Sequence, residues 1–167
     1  MLLELDKNPN PLNEDGNTPF HYVAMTGSTL LAEMLYDAGA NPVAENGQSM
    51  KPLHLSIVYG HFYLAAYLLC LEEVLESLKD QSTLNEALKL TCLAGSSQLF
   101  FVLMDLHEQH VTNVIDEYTL MHYVCTSGNA DIYKFLMSEE QNGAFDFKDN
   151  SNQTLEAPLH WAVSNEN

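Results

Sequence analysis

An all-α solenoid of stacked helix-turn-helix units with short hairpin loops is the fold this sequence predicts, on three observations. A four-residue motif ending in histidine recurs as Thr18-Pro19-Phe20-His21, Lys51-Pro52-Leu53-His54, Thr119-Leu120-Met121-His122 and Ala157-Pro158-Leu159-His160. His21 and His54 lie 33 residues apart, and the longer gap from His54 to His122 fits two periods with a degenerate copy between, Glu86-Ala87-Leu88-Lys89-Leu90 followed by Cys92 and Gly95. Each motif opens an apolar run that gives way after a glycine to a second one, as in a helical hairpin. A period in this range marks an array whose units bury their apolar faces only against their neighbours.

Taken in order, Leu2-Leu3 stand one period before Leu35-Tyr36, so residues 1–8 read as the tail of a preceding repeat's second helix. The first full unit spans 9–41. Thr18 suits an N-cap and Pro19 a first helical position, where its missing N–H costs nothing. Two helices are predicted, over about 19–25 and 30–36, with Gly39 as the left-handed residue that ends the second. Helices this short gain their order from stacking on neighbours. The second unit, 42–76, repeats the pattern through Pro52-Leu53-His54, Gly60-His61 and Leu68-Leu69. After it, Leu71-Glu72-Glu73-Val74-Leu75-Glu76-Ser77-Leu78 has a helical period where a hairpin is due, which predicts a helical connector.

The third unit, 77–109, carries Lys89 in the histidine slot and no proline. Its Thr83-Leu84-Asn85-Glu86 reads as a capping box, so its first helix should start early. The fourth unit, 110–147, keeps Thr119, His122, Gly128-Asn129 and Phe135-Leu136. A partial fifth, 148–167, begins with Pro158-Leu159-His160-Trp161 and reaches Asn167 before a second helix. One domain is expected over 1–167. With no polar-faced capping repeat in view, the chain reads as a segment of a longer array or larger protein; the alternative is that Met1 is a true start and only the C-terminal end is missing.

The first unit, Asp15-Gly16-Asn17-Thr18-Pro19-Phe20-His21 with Ala24, Gly27, Leu30-Leu31, Met34-Leu35 and Gly39-Ala40-Asn41, resembles one complete ankyrin repeat, and the other units extend the resemblance over nearly the whole chain. The resemblance implies that each motif histidine bonds backbone of the adjoining turn. It also implies a protein-binding concave surface made of the hairpin tips and the inner faces of the first helices. Carried onto this sequence, the tips give Glu14, Asp15 and Asn17, then Gly47, Gln48 and Met50, then Asp116 and Tyr118. The pairs before each glycine give Met25-Thr26, Val58-Tyr59, Leu93-Ala94 and Thr126-Ser127. Met25, Met50, Val58, Tyr59 and Tyr118 are large apolar or aromatic residues where the scaffold needs no burial, the composition of a binding hot spot. Lone surface apolar residues are also normal. The set expected to be contiguous is Met50, Val58 and Tyr59 with Met25, rimmed by Glu14, Asp15 and Asp116 for a Lys or Arg of the partner. Trp161 reads as an edge residue covered by further sequence rather than as a binding anchor.

Composition narrows the partners. There are 23 acidic residues, six lysines and no arginine, for a formal charge of −17 and a pI near 4.4. Nucleic acid and anionic membranes need clustered Lys or Arg, so both are poor partners. The acidity reads first as solubility, and in the sharper alternative as steering toward a partner with a basic patch. Hydrophobic content of 46% suits a folded chain, and no run approaches the roughly 18 apolar residues of a membrane span. No secretory leader is visible. An intracellular, cytoplasmic monomer is expected.

Cys70, Cys92 and Cys125 form an odd set; the last two are one period apart in the column that holds Ala24, Ile57 and Val163 elsewhere. Stacked helices stand about 8–10 Å apart, beyond the reach of a disulfide. Both are expected to be free thiols buried as small hydrophobes. No catalytic or metal site is expected. His107-Glu108-Gln109-His110 is not HExxH and lacks a third ligand. Glu72-Glu73 and Glu139-Glu140 point to different sides of a helix, and no nucleophile elbow or phosphate-cradling glycine loop occurs. The chain thus reads as a non-catalytic protein-interaction module without cofactor; the alternative is the targeting arm of a larger enzyme or effector.

Overall fold

A computed structural model describes residues 8–106, 114–115 and 118–141. Nine helices occur among them: α1 Pro19–Thr26, α2 Thr29–Asp37, α3 Pro52–Val58, α4 Phe62–Leu68, α5 Glu72–Ser77, α6 Gln81–Leu93, α7 Ser97–Leu106, α8 Leu120–Ser127 and α9 Ala130–Gln141. A two-residue antiparallel ladder, β1 Val114–Ile115 with β2 Tyr118–Thr119, forms one hairpin stem. The architecture is the predicted helical repeat array. The residues expected to form a preceding repeat's tail, the His107/His110 pair, Asp116 and the fifth unit with Trp161 lie outside the described residues.

The contacts divide the chain into two compact units, 1–78 and 79–167. In the first, α1 packs on α2 and α3, while α4 packs on α3 and α2. Its core is built of Phe20 and Ala24 from α1, Ala32 from α2, Ile57 from α3, Leu64 and Leu68 from α4, and Val74 from α5. The helical connector is present as α5, but it is separate from α4 because the chain turns at Leu69-Cys70. In the second unit α6 packs on α7 and α8, and α9 on α7 and α8. Leu84, Leu88, Phe100, Leu103, Leu120 and Leu136 fill its core, and Phe100, Phe101 and Phe135 meet edge-to-face at centroid separations of 5.3–6.0 Å. Such geometry places ring edges on the electron-rich faces of their neighbours.

The helix starts follow the sequence logic with one correction. Thr18, Lys51 and Thr119 are N-caps whose backbone N–H donates to Nδ1 of the histidine three residues on, at 3.0, 3.3 and 3.1 Å. Gly27 and Gly128 end α1 and α8 in the left-handed region. In the third unit Thr83 is not the cap. Asp80 is, its carboxylate accepting from the Thr83 backbone N–H and hydroxyl, both at 2.9 Å, which pulls the start of α6 back to Gln81. A carboxylate is the stronger acceptor for orphan amides and also suits the positive end of the helix. Lys89, in place of a histidine, makes an ion pair with Glu86 one turn earlier.

All three cysteines are free. Cys92 is fully buried, and burial pushes its thiol well above the ordinary range, so it stays protonated and inert. Cys125 departs from the expected core position. It is only half-buried, though burial still raises its thiol.

Candidate functional site

The first compact unit, 1–78, builds two successive hairpin tips from one local device. Asn13 Oδ1 accepts from the backbone N–H of Asp15 and Asn17 at 3.0 and 2.7 Å. One period later, Asn46 Oδ1 accepts from Gln48 and Met50, both at 3.0 Å. Asparagine closes such turns because its short side chain mimics a backbone acceptor two residues on. Each tip then needs one left-handed residue. Gly16 provides it at φ +76°, and Ser49, one period on, takes the same region at φ +57°.

Three bonds join the two tips. Gly47 N–H donates to the Asp15 carbonyl at 2.8 Å, Asn46 Nδ2 donates to Asn17 Oδ1 at 2.9 Å, and His21 Nε2 bonds the Met50 carbonyl at 3.0 Å. Because the Thr18 N–H can only donate, Nδ1 of His21 is the acceptor and the proton sits on Nε2, facing the Met50 carbonyl. The implied histidine-to-turn bond is thus present at His21. The chains approach so closely that a Cβ on Gly16 would lie 2.8 Å from Gly47 N, and one on Gly47 would lie 2.8 Å from the Asp15 carbonyl oxygen. Side chains on these tips are therefore held by a rigid frame.

Burial pushes the His21 imidazole below its ordinary value of 6.5, against an opposing pull from the Met50 and Ala44 carbonyls. The unfolded chain thus binds the proton more readily than the folded one. The His21 contribution to stability is full above about pH 6.5 and is lost as pH falls through the lowered folded value. Urea unfolding at pH 7.5 and pH 5 should show a loss at the lower pH that is smaller in His21→Gln.

Below the tips lies a groove of about 700 Å³. Glu14, Asp15, Asn17, Met25 and Tyr59, all nominated from the sequence, line it together with Gly47, Gln48, Leu55, Gly16, Asn13 and Asn46. Met50 and Val58 do not line it. Met50 is half-buried and acts through its carbonyl, while Val58 is 51% exposed on α3 next to Tyr59. Tyr118 belongs to the second compact unit, 79–167, where its ring meets those of His122 and Tyr123 edge-on at 5.6 and 6.3 Å. Tyr22, which follows His21 on α1, is 50% exposed, with its hydroxyl accepting from Asn13 Nδ2 at 2.8 Å. Sequence reasoning passed over Asn13 and Asn46. Their 33-residue spacing, the period of the array itself, was the available signal.

His61 was also passed over. Its Nε2 bonds the Met25 carbonyl at 2.9 Å, and its ring lies so close to Gly27 that a Cβ there would fall 2.4 Å from Nδ1. The end of α1 that presents Met25 is thereby fixed from α4's start. Among the described residues no group of three or more His, Cys, Asp or Glu side chains is placed to hold a metal ion. Among the same residues, no helix is long and apolar enough to cross a membrane.

Comparison with known proteins agrees with this architecture. The family model for ankyrin repeats, which comprises three copies, matches residues 1–78 and 87–167. A 53-residue stretch is 43% identical to the mouse nuclear factor NF-kappa-B p105 subunit, covering 32% of this chain and 6% of that protein. The fold is similar to that of the human ASB11 ankyrin repeat domain, with a TM-score of 0.64 and 19% identity over 90% of this chain and 64% of that one. Nearly the whole chain matches the family model, and its period, caps and paired helices have the corresponding form: the chain belongs to the ankyrin repeat family.

Proposed function

We propose that this chain is a non-catalytic module that binds a partner protein through the groove of its first unit. The observation that carries this reading is the pairing of accessible apolar surface, from half-buried Met25 and exposed Tyr59, with hairpin tips bonded to one another. Preorganised side chains lose little entropy on binding, which is where affinity is gained. Tyrosine and methionine are suited to such contacts, the one for rigid area and the other for adaptable shape. Ankyrin repeats are in general protein-interaction modules, which supports the reading without naming a partner. The free thiols support an intracellular, cytoplasmic setting, and a monomer is the state expected here.

The test is a pull-down with the wild-type chain and a Met25→Ala/Tyr59→Ala variant, with helicity verified for both. Truncating two groove residues should lower retention of a specific partner about 10-fold or more, since central interface residues each contribute upwards of ~1 kcal/mol. Equal retention by the folded variant would place binding elsewhere. A second reading is a targeting arm of a larger enzyme or effector; the p105 relative is itself far longer than the stretch it shares, which spans 6% of it. This second reading uses the same groove.

A further inference from the structure

We infer that the groove of the first unit accepts an arginine side chain of the partner; this rests on the interaction reading above and gives that partner a chemistry. The backbone donors of the tips are already engaged. Backbone N–H groups of Asp15, Gly16, Asn17, Gly47 and Gln48 are all consumed inside the tips. Asn13 Nδ2 donates to Asp15 and Tyr22, and Asn46 Nδ2 to Asn17. The charged groups left at the groove are the exposed carboxylates of Glu14 and Asp15, beside the side-chain amides of Asn17 and Gln48 and the Tyr59 hydroxyl.

Among the described residues no lysine pairs with either carboxylate, and the chain contains no arginine. An anionic ligand would meet repulsion from both carboxylates, whereas a cationic donor meets opposite charge together with acceptors. The apolar part of the lining selects between cations. Tyr59 is 54% exposed and offers aromatic surface, and half-buried Met25 adds apolar surface to the same lining. A guanidinium is planar, weakly hydrated and able to stack on an aromatic face while its fork engages a carboxylate. An ammonium is compact and strongly hydrated, and can use only the charge. Exposed carboxylates alone contribute little, so the aromatic surface makes arginine the fitting side chain.

The experiment is a nuclear magnetic resonance titration of the isotope-labelled chain with acetyl-Ala-Arg-Ala-amide, its lysine counterpart and its uncharged citrulline counterpart. Arginine should shift the backbone signals of Gly47, Gln48 and Tyr59 with an apparent affinity about 10-fold above citrulline and measurably above lysine. The Glu14→Gln/Asp15→Asn variant should abolish that preference, and raising the salt from about 0.05 to 0.5 M should weaken it. Asparagine at position 15 leaves in place the backbone carbonyl that receives Gly47 and a side-chain oxygen for Asn13, so the tip is kept. A lysine or citrulline peptide that matches arginine, or shifts scattered away from the groove, overturns the assignment. If that occurs while the Met25→Ala/Tyr59→Ala variant still loses a partner, the arginine inference fails and the interaction reading stands.

Discussion

Replacement of His21 by alanine is expected to lower the unfolding free energy by about 3 to 5 kcal/mol, the range for emptying a buried aromatic site and leaving a buried N–H unpaired. His21 is fully buried. Its loss leaves the Thr18 N–H without Nδ1 and the Met50 carbonyl without Nε2, besides a cavity among the packed helices. Against a total stability of about 5 to 15 kcal/mol for a typical domain, this is a large share. Urea unfolding measures the total. Amide exchange adds the local test, because Met50 and Gly47 amides should lose protection when the second tip is released from the first. A loss under about 1 kcal/mol would mean that the histidine is packing filler and not the bolt that holds the tips.

Gly16→Ala is expected to cost about 2 to 3 kcal/mol, and a matched substitution shows why. Gly16 and Gly39 have nearly the same backbone conformation, φ +76° and +81°. An alanine at either should pay about 1 kcal/mol for the left-handed region. At Gly39 nothing lies within 4 Å of the added Cβ, whereas at Gly16 it meets backbone atoms of Gly47 and Asn46 at 2.8 and 3.3 Å. Backbone cannot swing aside as a side chain does. The tips must separate, stretching the Gly47-to-Asp15 bond. The difference between the two variants isolates the cost of parting the tips; equal melts would show that the tips yield freely.

Much of this architecture is legible in the sequence because repetition averages away local ambiguity. The spacing of His21 and His54, the glycines at 27 and 128 and the prolines at 19 and 52 each correspond to a helix start or stop in the structure. The errors fall where the array departs from its own period. Asp80 displaced Thr83 as the cap of α6 because both residues suit the role and only the fold decides between them. Cys125 is more exposed than its column suggests, since a position's depth depends on which neighbour covers it.

At the candidate site, the residue types of the groove were legible and the frame was not. Glu14, Asp15, Asn17, Met25 and Tyr59 converge there, but Met50 was nominated for its side chain and acts through its carbonyl. Main-chain bonds such as Gly47 to Asp15 leave little trace in side-chain chemistry beyond the need for glycine. Asn13 and Asn46 could have been found by aligning the units, because an asparagine repeated at the period of the array usually serves the turn.

The most direct test of the account puts a photo-crosslinking amino acid in place of Gln48, on the rim of the groove, and separately in place of Tyr63, which is 91% exposed and outside the groove lining. Irradiation in cells followed by mass spectrometry reads which position touches a partner. The account predicts one protein captured from position 48, lost when Met25→Ala/Tyr59→Ala is added, and absent from position 63. Capture of the same protein from 63 but not 48 would contradict it and move the binding face off the groove.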